Sequence, residues 1–165
     1  MKTLLIRRHA KSSWKDPDLP DHDRLLNKRG KHDAPRMGKL LKDEDLIPDL
    51  IISSTAERAK KTAELVAKAC KYKGEIVRSH SLYVAELADY LKILQELSDK
   101  HKAVLVVGHS PSVEETVEVL TGSSDVIMPT CALAHISLPI HNWAELNKQK
   151  IKGKLLKVWR PKELP

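Results

Sequence analysis

Short apolar runs alternate along this chain with segments of helical periodicity, and this alternation restricts the possible folds more than any other feature. Apolar runs at residues 2–8, 50–53 and 103–107 have the length and composition of buried strands. Between them, apolar residues recur at helical spacing. Because strands connected through helices pair in parallel and are covered on both faces, we predict a three-layer α/β/α sandwich with a mostly parallel central sheet.

Local signals define the remaining elements. Pro35 lies inside the first helical pattern and lacks an N–H group, so we expect a kink or a late helix start there. Ser110 is the expected N-cap of the last helix, with Pro111 at its first position.

The length of 165 residues, without a repeat or linker, predicts one domain over residues 1–165. Helices are predicted over residues 27–42, 56–69, 86–97 and 111–120, and further strands over 75–79, 132–138 and 153–159.

The cysteine content and the lengths of the apolar runs indicate the compartment. Cys70 and Cys131 are far apart in the sequence and have no second thiol nearby to form a zinc or redox motif, so we expect both in the core. The apolar runs are too short to cross a membrane, and no signal peptide is recognisable. We therefore expect a cytoplasmic protein without a membrane partner.

The excess of positive charge favours an anionic partner. Lys and Arg total 29 against 22 Asp and Glu, for a formal charge of +7. The six aromatic residues are not interleaved with a basic segment, as a base-stacking surface requires, so we expect phosphate in a pocket and no nucleic acid. A lysine series near the C-terminus is typical of a protected edge strand, a docking stripe being the alternative. It comprises Lys148, Lys150, Lys152, Lys154 and Lys157.

Cationic and titratable side chains follow three of the predicted strands. Arg8 and His9 end the first strand, Arg58 lies just beyond the second, and His109 follows residues 103–107. The carboxyl ends of parallel strands line one crevice, so we expect these side chains to converge there. Guanidinium groups bind phosphate oxygens in pairs, and a neutral imidazole offers a lone pair to phosphorus. This pattern predicts a phosphoryl pocket with His9 as nucleophile and a protonated His109 as electrostatic stabiliser.

The Arg8-His9-Ala10 tripeptide resembles the Arg-His-Gly or Arg-His-Ala motif of the histidine phosphatase superfamily, which has the phosphoglycerate mutase-like fold. Further segments are similar to the small SixA-type phosphohistidine phosphatases. These are residues 21–30, 49–63, 82–83, 106–109 and 160–162. The resemblance implies that His9 is phosphorylated and that Arg8, Arg58 and His109 form the phosphate pocket. It also gives Arg24 a weaker contact, the alternative being a surface charge paired with Asp21 or Asp23.

The proton donor is the point at which the chain departs from the larger mutase-like relatives. Their general acid is a glutamate shortly after the third strand, and Glu86 is the nearest candidate here, although it also has the position of an ordinary helix start. A phosphohistidine protonated at its other ring nitrogen can expel neutral imidazole without a strong acid.

We therefore expect metal-independent and cofactor-free hydrolysis of phosphohistidine on a protein, with release of phosphate. Two alternatives remain open at this stage. One is a phosphatase of small phosphate monoesters that uses the same pocket. The other is a basic binding module without activity.

Overall fold

The computed structural model describes residues 1–147 and 151–165, so Lys148 and Lys150 of the lysine series lie outside the described residues. The strands are β1 (Lys2–Arg8), β2 (Leu50–Ser54), β3 (Ile76–Ser79), β4 (Ala103–Gly108), β5 (Leu133–Leu138) and β6 (Lys154–Trp159). The α-helices are α1 (Lys28–Asp43), α2 (Glu57–Cys70), α3 (Leu87–Gln95) and α4 (Ser112–Thr121). Each element lies close to its predicted position, since the apolar patterns fix the centre of an element better than its ends.

The sheet has the order β3-β2-β4-β1-β5-β6. β1 to β4 are mutually parallel, whereas β5 runs antiparallel to β1 and β6 antiparallel to β5. The predicted mostly parallel sheet is confirmed. In the pairing of β1 with β4, Arg8 lies opposite Gly108. His9 and His109 therefore leave the sheet side by side at its carboxyl edge.

Two apolar clusters cover the two faces of the sheet. On one face α1 and α2 pack against Leu5 and Leu105. On the other face α3 and α4 pack against Leu4 and Ile6. Because neighbouring strand residues point to opposite faces, this arrangement confirms the three-layer sandwich.

Arg7 is fully buried on the face covered by α1 and α2, opposite to Arg8, as the strand alternation predicts. Its Nη1 donates to the Cys131 carbonyl oxygen at 3.3 Å, while Nε and Nη2 have no hydrogen-bond partner among the described atoms. Burial lowers the pKa of Arg7. Cys70 and Cys131 are free and buried, which confirms them as core residues. No helix in the described ranges is long and apolar enough to span a membrane.

Two local predictions are corrected. α1 begins at Lys28 and includes Pro35, so the late start is wrong. Asn27 caps the helix by accepting the Gly30 N–H. Pro35 has no N–H to donate to the carbonyl four residues earlier, that of Lys31, and this residue is exposed, so water can reach it. α4 begins at Ser112 with Pro111 at the N-cap, not Ser110.

The Ser110 hydroxyl has a different partner from the one a helix cap would give it. It donates to Glu114 Oε1 at 2.6 Å rather than accepting a backbone N–H. The hydrogen bond to a side chain one turn along the helix thus replaces the expected cap.

Candidate active site

His9 is held on both sides by backbone hydrogen bonds. Its N–H donates to the Gly108 carbonyl at 3.0 Å, and its carbonyl accepts from the Cys131 N–H at 2.9 Å. The ring Nδ1 lies 2.7 Å from the Ala10 carbonyl oxygen. A carbonyl oxygen only accepts, so Nδ1 carries the proton and Nε2 keeps its lone pair. Burial lowers the pKa of His9 to about 3 despite the Ala10 hydrogen bond, so the ring is neutral at pH 7.

His109 stands beside His9, with the ring centroids 5.1 Å apart. Its backbone N–H donates to the buried Tyr90 hydroxyl at 3.0 Å, and its Nε2 lies 2.8 Å from Ser54 Oγ. Burial and then the nearby charge of Arg58 lower the pKa of His109 to about 4. His109 is therefore neutral at pH 7 in this structure, because a buried imidazole beside a guanidinium disfavours a second positive charge. The protonated His109 expected during phosphoryl transfer remains a prediction.

Arg58, in the first turn of α2, reaches the same edge of the sheet. It is 6% exposed, and its Nη1 and Nη2 donate to the backbone oxygen and Oδ2 of Asp21 at 2.7 and 3.0 Å. Arg8 donates from Nη1 to the Met128 carbonyl at 3.2 Å. The Nε atoms of Arg8 and Arg58 are buried and have no partner among the described atoms. Both guanidinium groups therefore retain hydrogen-bonding capacity for an anion.

Contacts show that the predicted residues lie together. The rings of His9 and His109 are 5.1 Å apart, His109 and Arg58 line the same pocket, and after burial the charges of Arg58 and Arg8 also lower the pKa of His9. The structure thus brings together the four residues predicted as the catalytic set. Their catalytic roles remain a proposal.

Asp21 connects several of these groups. Its Oδ1 accepts from Arg24 Nε at 3.1 Å, and its Oδ2 accepts from the Tyr83 hydroxyl at 2.6 Å as well as from Arg58. The Tyr83 hydrogen bond and the Arg58 contact hold the pKa of Asp21 at about 2, so its carboxyl group is ionised at pH 7. Arg24 also donates to Ser12 Oγ at 2.8 Å, and it reaches the site through Asp21.

Asp21 and Tyr83 are the site residues that the sequence reasoning missed. The sequence gives Asp21 as an alternative surface partner of Arg24, and this is one of the contacts it makes. Its pairing with Arg58 spans 37 residues of sequence, and no local pattern indicates it. The Leu82-Tyr83 pair lies in a segment that resembles the SixA-type proteins, which is the signal that could have found Tyr83.

An open pocket of about 300 Å³ lies at the carboxyl edge of the sheet. Its walls are formed by Asp21, Arg58, Tyr83, Val84, Ala85, His109, Ser110, Pro111 and Ser112. A neighbouring pocket of about 470 Å³ shares Arg8 with the site. It is also lined by the cations Lys11, Arg29, Arg160 and Lys162, together with Glu163. The excess positive charge is thus partly concentrated beside the candidate active site.

Glu86 lies apart from this arrangement. It is exposed at the N-cap of α3, and its backbone N–H donates to Asp89 Oδ2 at 2.8 Å. The described residues around the 300 Å³ pocket include its neighbour Ala85 but not Glu86. Its role as a proton donor remains a prediction. Within residues 1–147 and 151–165, no group of three or more His, Cys, Asp or Glu side chains could hold a metal ion.

Fold and site together define a class of protein: an α/β enzyme whose sheet edge carries two neutral histidines and a set of guanidinium groups suited to a phosphoryl group. The sequence model of the histidine phosphatase superfamily (branch 1) matches residues 4–82, which include His9 and Arg58. This chain belongs to the histidine phosphatase superfamily.

Several individual proteins are similar to this chain. An uncharacterised chloroplastic protein of Arabidopsis thaliana is 30% identical over 155 residues, covering 87% of this chain and 70% of that protein. A 2,3-bisphosphoglycerate-dependent phosphoglycerate mutase of Streptomyces avermitilis is 41% identical over 64 residues, which are 38% of this chain and only 25% of the mutase. A solved structure from Agrobacterium tumefaciens, provisionally assigned as the phosphohistidine phosphatase SixA, superposes with a TM-score of 0.83 at 28% identity. It covers 97% of this chain and 98% of that one.

Proposed function

We propose that this protein hydrolyses phosphohistidine on a protein through a covalent phosphohistidine intermediate at His9. One observation carries the proposal: the Ala10 carbonyl fixes the proton on Nδ1 of a neutral His9 ring, which leaves the Nε2 lone pair for attack. The neighbouring guanidinium groups have unused donors for phosphate oxygens. Phosphoryl transfer depends mainly on such positioning and charge.

In the first step, His9 Nε2 attacks phosphorus as the phosphorus–nitrogen bond of the substrate breaks. The electron pair of that bond returns to the substrate nitrogen. If the other ring nitrogen of the substrate carries a proton, the leaving group is neutral imidazole. Arg8 and Arg58 hold the phosphoryl oxygens while the negative charge shifts among them.

In the second step, water attacks the phosphorus of phospho-His9. The bond from phosphorus to Nε2 breaks, and its electron pair returns to His9. The protons of the water remain on the product phosphate or pass to solvent. His109 lies beside His9, and the charge of a bound phosphate favours the protonated form of its ring, which then donates a hydrogen bond to the phosphoryl group.

The ionised state of Asp21 and the exposure of Glu86 support the choice of leaving group. Asp21 is ionised at neutral pH, because the hydrogen bond from Tyr83 and the contact with Arg58 keep its pKa at about 2. Glu86 is exposed on the adjacent helix cap. An alkoxide leaves poorly without protonation, whereas imidazole does not need an acid. A phosphoramidate substrate therefore suits this site better than an alcohol ester.

The test is single-turnover phosphate release from a phosphohistidine protein, compared with a panel of small phosphate esters. Phosphoenzyme is detected by mass spectrometry without acid, since phosphohistidine is acid-labile. In the wild-type protein we expect a phosphoryl group on His9. In His9→Gln the rate of phosphate release should be lower by roughly a thousandfold or more. His32→Gln, an exposed site on α1, is the matched control and should behave like wild type.

Each of the two alternative functions predicts a different result in this experiment. Preference for esters with labelled His9 would establish the small-molecule phosphatase instead. Absence of phosphoenzyme with every substrate, together with salt-sensitive binding that survives His9→Gln, would support the binding module. Loss of activity in a chelator would contradict the metal-independent mechanism.

A further inference from the structure

We propose that Asp21 and Tyr83 form a subsite for the imidazole ring of a phosphohistidine substrate, which carries a positive charge while its other nitrogen is protonated and leaves as neutral imidazole. This inference rests on the proposed function and adds the feature that selects phosphohistidine over phosphate esters. We refer to these two residues as the Asp21–Tyr83 pair.

The pair lies on the exposed side of the candidate active site. In an in-line phosphoryl transfer the leaving group departs on the side opposite to the nucleophile. His9 is only 7% exposed at the base of the site, whereas the Asp21 side chain is 53% exposed. Asp21 and Tyr83 line the pocket together with His109 and Arg58, and the Tyr83 ring centroid is 5.7 Å from that of His109. The pair therefore lies in the wall of the exposed pocket, on the side toward which a leaving group would depart from the buried His9.

The Asp21–Tyr83 pair can accept further hydrogen bonds from a substrate. A carboxylate offers about four acceptor positions. Asp21 uses three for side chains, with Arg24 on Oδ1 and with Arg58 and Tyr83 on Oδ2. One position on Oδ1 remains, and the Tyr83 oxygen, which donates its own proton to Asp21, can still accept. The protonated imidazole of a phosphohistidine has the N–H donor that this arrangement fits.

The negative charge of Asp21 affects the two substrate classes in opposite ways. A carboxylate in a pocket for an anion repels a phosphate group, so it weakens the binding of a simple phosphate ester. The same carboxylate attracts a substrate whose leaving group carries a positive charge. The ionised Asp21 is thus unfavourable for one substrate class and favourable for the other, which is how a site discriminates between them.

The Tyr83 ring adds to this selection because a cation is attracted to the face of an aromatic ring. The ring is supported from another side by His22, whose centroid lies 4.6 Å away with the planes at 90°. His22 is itself positioned by a hydrogen bond to Thr55 Oγ1 at 2.9 Å. Tyr83 thus has a supported orientation beside the pocket.

The experiment compares kcat/KM for phosphoimidazole and p-nitrophenyl phosphate in the wild-type protein and in Asp21→Asn. Loss of one charged hydrogen bond at a half-exposed position should lower the ratio, phosphoimidazole over ester, by about tenfold. Asp18→Asn is the matched control, since Asp18 is an exposed aspartate three residues away, and it should leave the ratio unchanged. Tyr83→Phe should lower the ratio in the same direction but less, because the ring remains.

The ratio of the two kcat/KM values distinguishes a change in substrate selection from a general loss of activity. If Asp21→Asn lowers both activities equally, Asp21 only positions Arg58 and the inference is overturned. An unchanged ratio in both Asp21→Asn and Tyr83→Phe would also overturn it. Should Asp21→Asn fail to fold, Tyr83→Phe decides alone. Failure of the proposed function is distinguishable, because the wild-type protein itself would then not cleave phosphoimidazole.

Discussion

Replacing Tyr90 by Phe removes one hydroxyl group that holds His109. The Tyr90 side chain is 1% exposed, and its oxygen accepts the backbone N–H of His109 at 3.0 Å. This contact depends on Gly108, since a Cβ there would collide with the Tyr90 hydroxyl. Tyr90→Phe therefore leaves the His109 N–H without its acceptor in a largely buried position while it preserves the ring packing.

The loss of the Tyr90 hydroxyl should lower the free energy of unfolding. An unsatisfied buried N–H group costs about 1–3 kcal/mol of unfolding free energy, and the retained ring leaves only a small cavity. Because the His109 backbone is less firmly held, phosphoenzyme formation should also slow roughly tenfold. Urea unfolding followed by circular dichroism gives the first quantity, and single-turnover kinetics gives the second.

Tyr72→Phe is a suitable control for the stability measurement. The Tyr72 hydroxyl also donates a hydrogen bond, to the Glu75 carbonyl at 2.8 Å, but in a solvent-exposed turn. Water can replace that partner, so the loss should be below about 0.5 kcal/mol. If Tyr90→Phe costs no more than Tyr72→Phe, the Tyr90 hydroxyl does not hold His109 and the reasoning is refuted.

Three further predictions concern pH, a buried charge and a close backbone approach. The pKa values of His9 and His109 are lowered from 6.5 to about 3 and about 4, so the unfolded chain binds more protons below pH 6.5. The free energy of unfolding should therefore decrease from pH 6.5 toward pH 4, by about 1.4 kcal/mol per pH unit for each histidine at most. In urea titrations at several pH values His9→Gln should reduce this slope, and an identical slope would contradict a neutral buried His9. Arg7→Met removes a buried charge with two unpartnered nitrogens, so the unfolding free energy should stay equal or rise by up to about 2 kcal/mol, whereas a loss above about 1 kcal/mol would show that Arg7 is stabilising. Gly30→Ala places a Cβ against the Lys11 carbonyl oxygen and should cost about 1–3 kcal/mol by the same assay, with an unchanged midpoint as the contrary result.

The order of elements could be read from the sequence because it depends on local patterns. Residues 103–107 are apolar throughout, as a strand covered on both faces must be, and β4 occupies them. Helical spacing of apolar residues likewise located α1 and α2. The parallel arrangement followed from this alternation, and it predicted that His9 and His109 would meet at one edge of the sheet, as they do.

The order of the strands and the ionisation of the site were decided by the tertiary structure. Nothing local shows that β5 pairs antiparallel with β1, since that pairing joins segments distant in the chain. The pKa of His109 could not be read from the sequence for the same reason. Its pKa depends on burial and on Arg58, and both exist only after the sheet and α2 have packed together.

The positions of the strands and helices along the chain, and the residue types that follow each strand, were thus determined by the amino-acid sequence alone, because they depend on neighbours in the chain. The contact of Asp21 with Arg58 and Tyr83 was decided by folding, because it joins three separate segments. Hydrogen-bond geometry and desolvation act through space over a few ångströms, regardless of separation along the chain. For that reason the chemical class of the site was visible in the sequence, while its protonation states and the surroundings of its leaving group required the folded structure.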